Sequence, residues 1–142
     1  MVRADEPRRG AEEPGMAQTK VLIIDDEKLT RTMLTDLLRA KGYAVVSAED
    51  GAAGLAAAQR EKPNVIILDV MMPGMDGFEV CHALKQDVAT TGIPVIILTA
   101  SDDPHLTKKA FKAGAAFTLV KTSRPERLLS TLQLALSLPR PT

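Results

Sequence analysis

Three short apolar runs without an intervening polar residue recur along the chain, at residues 21–24, 65–68 and 95–98. Runs of this kind are typical of strands that are covered on both faces, as in a parallel sheet. Two weaker runs, at residues 44–48 and 116–120, predict further strands nearer the edges of that sheet.

The stretches between these runs place apolar residues at helical spacing and predict helices over residues 27–41, 51–61, 77–87, 104–113 and 123–138. In the first helix one predicted apolar stripe contains Leu29, Met33, Leu34, Leu37 and Leu38, and Gly42 is the expected stop. Asp103 is the expected N-cap of the fourth helix, with Pro104 as its first residue. Residues 123–126 have the spacing of a capping box for the last helix.

Five strands alternating with five helices predict an α/β fold, with a doubly wound parallel sheet, helices on both faces and right-handed crossovers. We assign this domain to residues 20–138. Residues 1–19 combine prolines, glycines and charges without apolar periodicity, so we expect a disordered tail in which Met16 could be an alternative start. Residues 139–142 form a short C-terminal tail after the last helix.

The composition of the chain argues against several classes of protein. The chain has 142 residues, a length that suits one domain, and equal numbers of basic and acidic residues, 18 each. This charge balance argues against a dedicated nucleic-acid or membrane binder. The single cysteine excludes an internal disulfide or a multi-cysteine zinc site. No apolar run is long enough to span a membrane and no signal peptide is visible, so we expect a cytoplasmic protein.

Polar residues follow the predicted strands at their carboxyl ends, where open parallel sheets bind ligands. Asp25 and Asp26 follow the first strand, Asp69 ends the third, Thr99 follows the fourth and Lys121 follows the fifth. Clustered carboxylates repel one another, and one lysine cannot neutralise three of them, so a divalent cation is expected. Hard oxygen ligands without histidine or cysteine favour Mg²⁺. Asp69 is the expected nucleophile for a phosphoryl group, forming an acyl phosphate.

These motifs resemble the receiver domain of bacterial two-component response regulators, including the chemotaxis regulators. The resemblance lies in four pieces of the sequence: the apolar run with its acidic end at residues 21–27, the strand and loop at 66–77, the strand at 94–100 that ends in Leu-Thr-Ala, and Lys121. It implies a flavodoxin-like sheet with strand order 2-1-3-4-5.

The resemblance also implies a role for each site residue. Asp69 would accept a phosphoryl group from a sensor histidine kinase or a histidine phosphotransfer protein. Asp26, Asp69 and the backbone carbonyl of Met71 would bind Mg²⁺ directly, and Asp25 would act mainly through a metal-bound water. Lys121 would pair with Asp69 and then with the phosphoryl oxygens, Thr99 would move to bond them, and Pro73 and Gly74 would shape the loop.

Two positions depart from the family pattern. Thr122 follows the lysine where the family usually has proline, and we expect a trans Lys121–Thr122 bond because a cis non-proline bond costs about 2.5–4 kcal/mol. Thr118 stands where the family has an aromatic switch residue. Phe117 should not replace it, because successive strand residues point to opposite faces. We therefore expect the Thr99 signal to be read out without an aromatic rotamer change.

The sequence thus predicts a phosphoacceptor signalling domain that is no enzyme beyond its own phosphorylation and dephosphorylation. Its expected partners are the kinase or phosphotransfer protein and an unknown downstream effector, and a phosphorylation-dependent homodimer stays open. A Mg²⁺-dependent phosphatase is disfavoured because Met71 stands where an acid is needed. A flavodoxin-like cofactor binder is disfavoured because no phosphate loop follows the first strand. A receiver that acts unphosphorylated remains an alternative.

Overall fold

Five strands alternate with five helices along the residues that the computed structural model describes, 18–72, 74 and 76–139. All ten predicted elements are present, and each boundary lies within two residues of the predicted one. The strands are β1 Lys20–Ile24, β2 Ala44–Ala48, β3 Val65–Asp69, β4 Val95–Thr99 and β5 Phe117–Val120. The helices are α1 Lys28–Ala40, α2 Gly51–Glu61, α3 Gly77–Gln86, α4 Pro104–Lys112 and α5 Pro125–Leu136.

The five strands form one parallel sheet in the order β2-β1-β3-β4-β5, which confirms the predicted fold class and strand order. The register determines which residues meet at the carboxyl edge. Ile24 pairs with Leu68, so that Asp25 and Asp69 follow side by side. Thr99 pairs with Val120, so that Lys121 comes immediately after the pair.

Each face of the sheet carries its own apolar core. Alternate residues of β1, β3 and β4 pack against α2, α3 and α4 on one face, around Val80, Leu84 and Ala110. The other residues of the same strands pack against α1 and α5, around Leu38 and Leu132. Every residue of β3 and β4 is buried, as expected for the centre of a sheet covered on both sides.

The predicted stripe on α1 is only partly correct. Leu38 is buried, and Leu34 and Leu37 pack against the core, but Leu29 and Met33 are 72% and 61% exposed. At 100° per residue, Leu29 and Met33 lie roughly 140–180° around the helix from Leu38, too far to reach the same core. They leave an apolar patch on the surface of α1.

Helix ends match the predictions with one exception. Asp103 caps α4 by accepting a hydrogen bond from the amide of His105, with Pro104 at the first position. The capping box predicted at residues 123–126 is wrong, because Arg124 is the N-cap of α5 and makes no side-chain capping bond. Proline at position 125 starts the helix one residue later than a cap at Ser123 would require.

Residues 1–17 and 140–142 lie outside the described part of the chain, so the disordered N-terminal tail and most of the C-terminal tail remain predictions. Among the described residues, no helix combines the length and the apolar character that crossing a bilayer requires.

Candidate functional site

Three carboxylates meet at the carboxyl edge of the sheet, as the sequence predicts. Asp25, Asp26 and Asp69 each offer one oxygen to a cluster in which all these atoms lie within 4.8 Å of one another. Asp25 and Asp69 are each only 1% exposed, whereas Asp26 faces solvent. The cluster therefore combines two buried carboxylates with one that is open to solvent.

Backbone hydrogen bonds hold the first of these acids in place. The amide of Asp25 donates to the carbonyl of Ala48 at 3.1 Å, and its Oδ1 accepts from the amide of Glu27 at 2.9 Å. Arg31, on α1, donates from Nη1 to the carbonyl of Asp25 at 2.8 Å. Sequence reasoning missed Arg31. The signal that could have found it is its place one turn inside a helix whose side chains tilt toward the N-terminus.

Asp69 is held by the loop between β3 and α3. Its Oδ1 accepts a hydrogen bond from the amide of Met71 at 3.2 Å. The amide of Gly77 donates to the carbonyl of Val70 at 3.0 Å, which draws the start of α3 against the end of β3. A Cβ on Gly77 would lie 2.5 Å from Val70 Cα and 2.6 Å from the carbonyl oxygen of Asp69. Only glycine allows this close approach.

We therefore expect Gly77→Ala to destabilise the domain by about 1–3 kcal/mol and to displace Asp69, because the clash is with backbone that cannot rotate away. Chemical denaturation measures the stability, and Mg²⁺ affinity measures the site. Gly42→Ala is the control, since Gly42 has φ +94° but open space around it. It should lower stability alone, and an unchanged Mg²⁺ affinity in Gly77→Ala would contradict the positioning argument.

The ammonium group of Lys121 lies close to three carboxylates. Lys121 Nζ lies 3.4 Å from Asp69 Oδ2, 3.7 Å from Asp25 Oδ2 and 3.5 Å from Glu27 Oε1. Within the described residues, the buried oxygens Asp25 Oδ2 and Asp69 Oδ2 have no hydrogen-bond partner. Buried polar atoms in this state are costly, so the pocket favours an additional positive ligand.

The pKa directions support this interpretation. Burial raises the pKa of Asp69, and the charge of Asp25 adds to that rise, while the Met71 amide and Lys121 only partly oppose it. Burial disfavours the charged form of Lys121, but the attraction of Asp25, Asp69 and Glu27 outweighs it and raises the pKa of Lys121. The three clustered carboxylates are hard oxygen donors without a histidine or cysteine among them, and this donor set fits Mg²⁺.

The other predicted site residues lie outside the carboxylate cluster, at the end of β4 or in the loop after β3. Thr99 is buried at the end of β4, and its hydroxyl donates to the carbonyl of Ser101 at 2.6 Å. The amide of Lys121 donates to the carbonyl of Thr99 at 2.7 Å, so Thr99 adjoins the site without bonding Asp69. Met71 is 69% exposed beside Asp69. Pro73 lies outside the described residues, whereas Gly74 adopts φ +82° in the loop.

The two departures from the family pattern appear as expected. No cis peptide bond occurs among the described residues, so the Lys121–Thr122 bond is trans. Phe117 packs against the core formed with α1 and α5. Thr118 instead lines a cavity with Thr99 and Thr107. Phe117 therefore does not take the place of the missing aromatic residue.

The sequence and the fold are both similar to those of known proteins. A family model described as the response regulator receiver domain matches residues 21–133. Protein PilH of Pseudomonas aeruginosa is 37% identical over 118 residues, which cover 83% of this chain and 98% of PilH. Response regulator PleD of Caulobacter vibrioides is 43% identical over 102 residues, which cover 72% of this chain but 22% of PleD. The structure of chemotaxis protein CheY4 of Vibrio cholerae matches with a TM-score of 0.80 at 39% identity, covering 84% of this chain and 99% of that one.

Proposed function

The chain belongs to the family of response regulator receiver domains, and on that premise we propose that its Asp69 is the phosphoacceptor of a two-component signalling pathway. The observation that carries the assignment is Asp69 Oδ2, which is buried and free of hydrogen bonds among the described residues but lies 3.4 Å from Lys121 Nζ. A carboxylate oxygen that is paired with an ammonium group but makes no hydrogen bond is available to attack phosphorus.

The proposed reaction is a transfer from a phosphohistidine. Asp69 Oδ2 attacks the phosphorus in line, the P–N bond to the imidazole breaks, and an acyl phosphate forms. The leaving imidazole keeps the electron pair of the broken bond and takes up a proton from solvent, so that it is released as neutral histidine. Mg²⁺ held directly by Asp26, Asp69 and the carbonyl of Met71, and by Asp25 mainly through a bound water, would supply charge neutralisation for the phosphoryl oxygens.

Lys121 and Thr99 connect this step to the rest of the domain. Lys121, shared among carboxylates before transfer, pairs afterwards with a phosphoryl oxygen. Thr99 exchanges its bond to the Ser101 carbonyl for one to the phosphoryl group, which frees the loop between β4 and α4. This exchange is the proposed signal, and it moves α4 and β5 without an aromatic rotamer change.

Receiver domains interact with histidine kinases and with downstream effectors. For this chain we propose that the phosphodonor, a sensor kinase or a phosphotransfer protein, docks over exposed apolar residues of α1 and of the loop after β3. These are Leu29, Met33 and Met71. A downstream effector protein and a cytoplasmic location stay predictions, and a phosphorylation-dependent homodimer stays open.

Loss of the phosphoryl group is expected to be slow. Met71 beside Asp69 offers no polar atom to orient a hydrolytic water, and its side chain is 69% exposed. Met71→Asn should accelerate dephosphorylation by about ten-fold or more. A positioned acid or base contributes about 10²–10⁴-fold, and an amide that only orients the water contributes less. The decay of the phosphorylated form, followed by intact mass, measures the rate. A lifetime of seconds in the unaltered protein would contradict this expectation.

Incubation with phosphoramidate, a small phosphodonor, tests the proposal without the kinase. In the presence of Mg²⁺, the intact mass should increase by one phosphoryl group, and hydroxylamine should remove it, as expected for an acyl phosphate. No gain in mass, or a hydroxylamine-stable adduct, would contradict the assignment.

A further inference from the structure

Met71 places an exposed thioether beside the proposed phosphoacceptor. Its side chain is 69% exposed, and its backbone amide donates to Asp69 Oδ1 at 3.2 Å. The backbone of Met71 is therefore held against the carboxylate while its side chain is open to solvent. An oxidant that diffuses in from solvent can reach this sulfur.

The other described sulfur atoms differ from that of Met71 in exposure or in position. Met72 is only 8% exposed and belongs to the core between the sheet and the helices α2, α3 and α4. Met33 is 61% exposed, but it lies on α1 and not in the loop after Asp69. Among the described residues, Met71 alone combines an exposed thioether with a backbone contact to the phosphoacceptor.

The single cysteine of the chain is a poor target for the same oxidant. Cys81 is buried, and burial raises the pKa of its thiol to about 11. Because the thiolate is the form that reacts, little of Cys81 is reactive at neutral pH. An oxidant at moderate concentration therefore acts first on the exposed methionines.

A peroxide converts a methionine thioether to a sulfoxide. A lone pair of Sδ attacks one oxygen of hydrogen peroxide, the O–O bond breaks, and a sulfur–oxygen bond forms. The departing hydroxide takes the proton from the transferred oxygen and leaves as water. Sulfur is oxidised by two electrons and the peroxide is reduced by two. The apolar side chain becomes a polar one that accepts hydrogen bonds.

The new oxygen has the reach of a glutamine side chain. It is bonded to Sδ, as many bonds from Cβ as Oε1 is in glutamine, and both oxygens are hydrogen-bond acceptors. The sulfoxide carries no charge, so the balance between the carboxylates and Lys121 stays as it is. Oxidation of Met71 therefore adds one polar atom beside Asp69 without altering the charges of the site.

We propose that Met71 is an oxidation site through which a peroxide shortens the lifetime of phosphorylated Asp69. The sulfoxide oxygen accepts a hydrogen bond from the water that attacks phosphorus. The bond between phosphorus and Asp69 breaks, Asp69 recovers its carboxylate, and the oxygen and both hydrogens of the water leave with inorganic phosphate. The proposal deepens the proposed function, because it rests on Asp69 being the phosphoacceptor.

The expected acceleration of dephosphorylation is about three- to ten-fold, since an acceptor that only orients the water contributes less than a positioned acid or base. The effect is reversible, because sulfoxide reductases return methionine sulfoxide to the thioether. A peroxide would thus end the phosphorylated state sooner, and reduction would restore its full lifetime.

Peptide mass spectrometry after treatment of the full chain with hydrogen peroxide tests the modification without a phosphodonor. Met71 and Met33 should become sulfoxides well before Met72, because their side chains are exposed and that of Met72 is buried. A chain in which Met33 is oxidised and Met71 is not would overturn the proposal.

The lifetime is measured on chain that is oxidised, freed of peroxide, and then phosphorylated with phosphoramidate and Mg²⁺. Decay of the phosphorylated form by intact mass should be about three- to ten-fold faster than in untreated chain. A methionine sulfoxide reductase should restore the slower decay. Met71→Leu should lose the response to peroxide and Met33→Leu should keep it. Met71→Gln should decay faster than Met71→Leu without any peroxide.

An equal response to peroxide in Met71→Leu and in the unaltered chain would overturn the proposal. It would assign the effect to another residue, such as Met75, which lies outside the described residues. Complete oxidation of Met71 with an unchanged lifetime would overturn it as well. If untreated chain gains no phosphoryl group, the proposed function fails and this inference fails with it. A normal gain whose lifetime oxidation does not change refutes this inference alone.

Discussion

Replacing Asp69 by asparagine is expected to abolish phosphorylation completely. The amide cannot attack phosphorus, and no other described carboxylate is both buried and within 3.4 Å of Lys121 Nζ. Intact mass after incubation with phosphoramidate and Mg²⁺ should show no gain. Asp36→Asn is the matched control, because Asp36 is exposed on α1, away from the acidic cluster.

The same variant should be more stable than the unaltered protein at neutral pH when Mg²⁺ is absent. Because burial raises the pKa of Asp69, the folded state holds this proton at pH values where the unfolded state has lost it. The contribution of this group to stability therefore falls as pH rises from the ordinary carboxyl value through the raised value, and stays low above it. Asparagine removes that penalty.

Denaturation at several pH values without Mg²⁺ measures whether Asp69→Asn raises or lowers the free energy of unfolding. The difference in free energy of unfolding between Asp69→Asn and the unaltered protein should grow as pH rises through this window, whereas Asp36→Asn should show no such trend. A variant that is less stable than the unaltered protein at neutral pH would contradict the picture of an uncompensated buried carboxylate.

Mg²⁺ is expected to stabilise the domain strongly. At about 100 times its Kd, a ligand bound only by the folded state adds about 2.7 kcal/mol, which for a domain of this size raises Tm by about 5–10 °C. Asp26→Asn should remove most of this effect, since it deletes one of the three clustered carboxylates. Because Asp26 is exposed, its loss should leave the metal-free fold intact. Phosphorylation should fail in Asp26→Asn. It should also fail in the unaltered protein when a chelator removes Mg²⁺.

Thermal unfolding with and without Mg²⁺ measures this effect, and Asp36→Asn again serves as the control. An equal Mg²⁺ shift in Asp26→Asn and the unaltered protein would show that the ion binds elsewhere. Phosphoryl gain at full rate in chelator would show that the acidic cluster is not a metal site.

The sheet and the acidic cluster can be predicted from the sequence, because they follow from the apolar pattern of the strands and from the parallel arrangement of those strands. Short uninterrupted apolar runs rich in β-branched residues, such as residues 65–68, are typical of strands that are covered on both faces, and parallel strands bring their carboxyl ends to one edge. Once the strand order is known, Asp25 and Asp69 must be neighbours. Their burial and the cation that they need follow from their position.

Other features depend on side-chain placement that periodicity does not describe. Five apolar residues on α1 suggest one stripe, yet Leu29 and Met33 turn to solvent because the stripe is wider than the contact with the sheet. In the sequence Glu27 is simply the third of three consecutive acidic residues. Its ion pair with Lys121 could not be predicted, because it depends on where α1 begins. The close approach of Gly77 to the Asp69 carbonyl depends on the path of the loop between β3 and α3.

Chemical trapping of the phosphorylated residue decides whether Asp69 is the acceptor. Borohydride reduces an acyl phosphate to an alcohol, which converts a phosphorylated aspartate to homoserine that peptide mass spectrometry can locate. After incubation with phosphoramidate and Mg²⁺, homoserine should appear at position 69 and at no other carboxylate. Homoserine at position 25, 26 or 27, or a phosphorylated protein without any homoserine, would contradict the account.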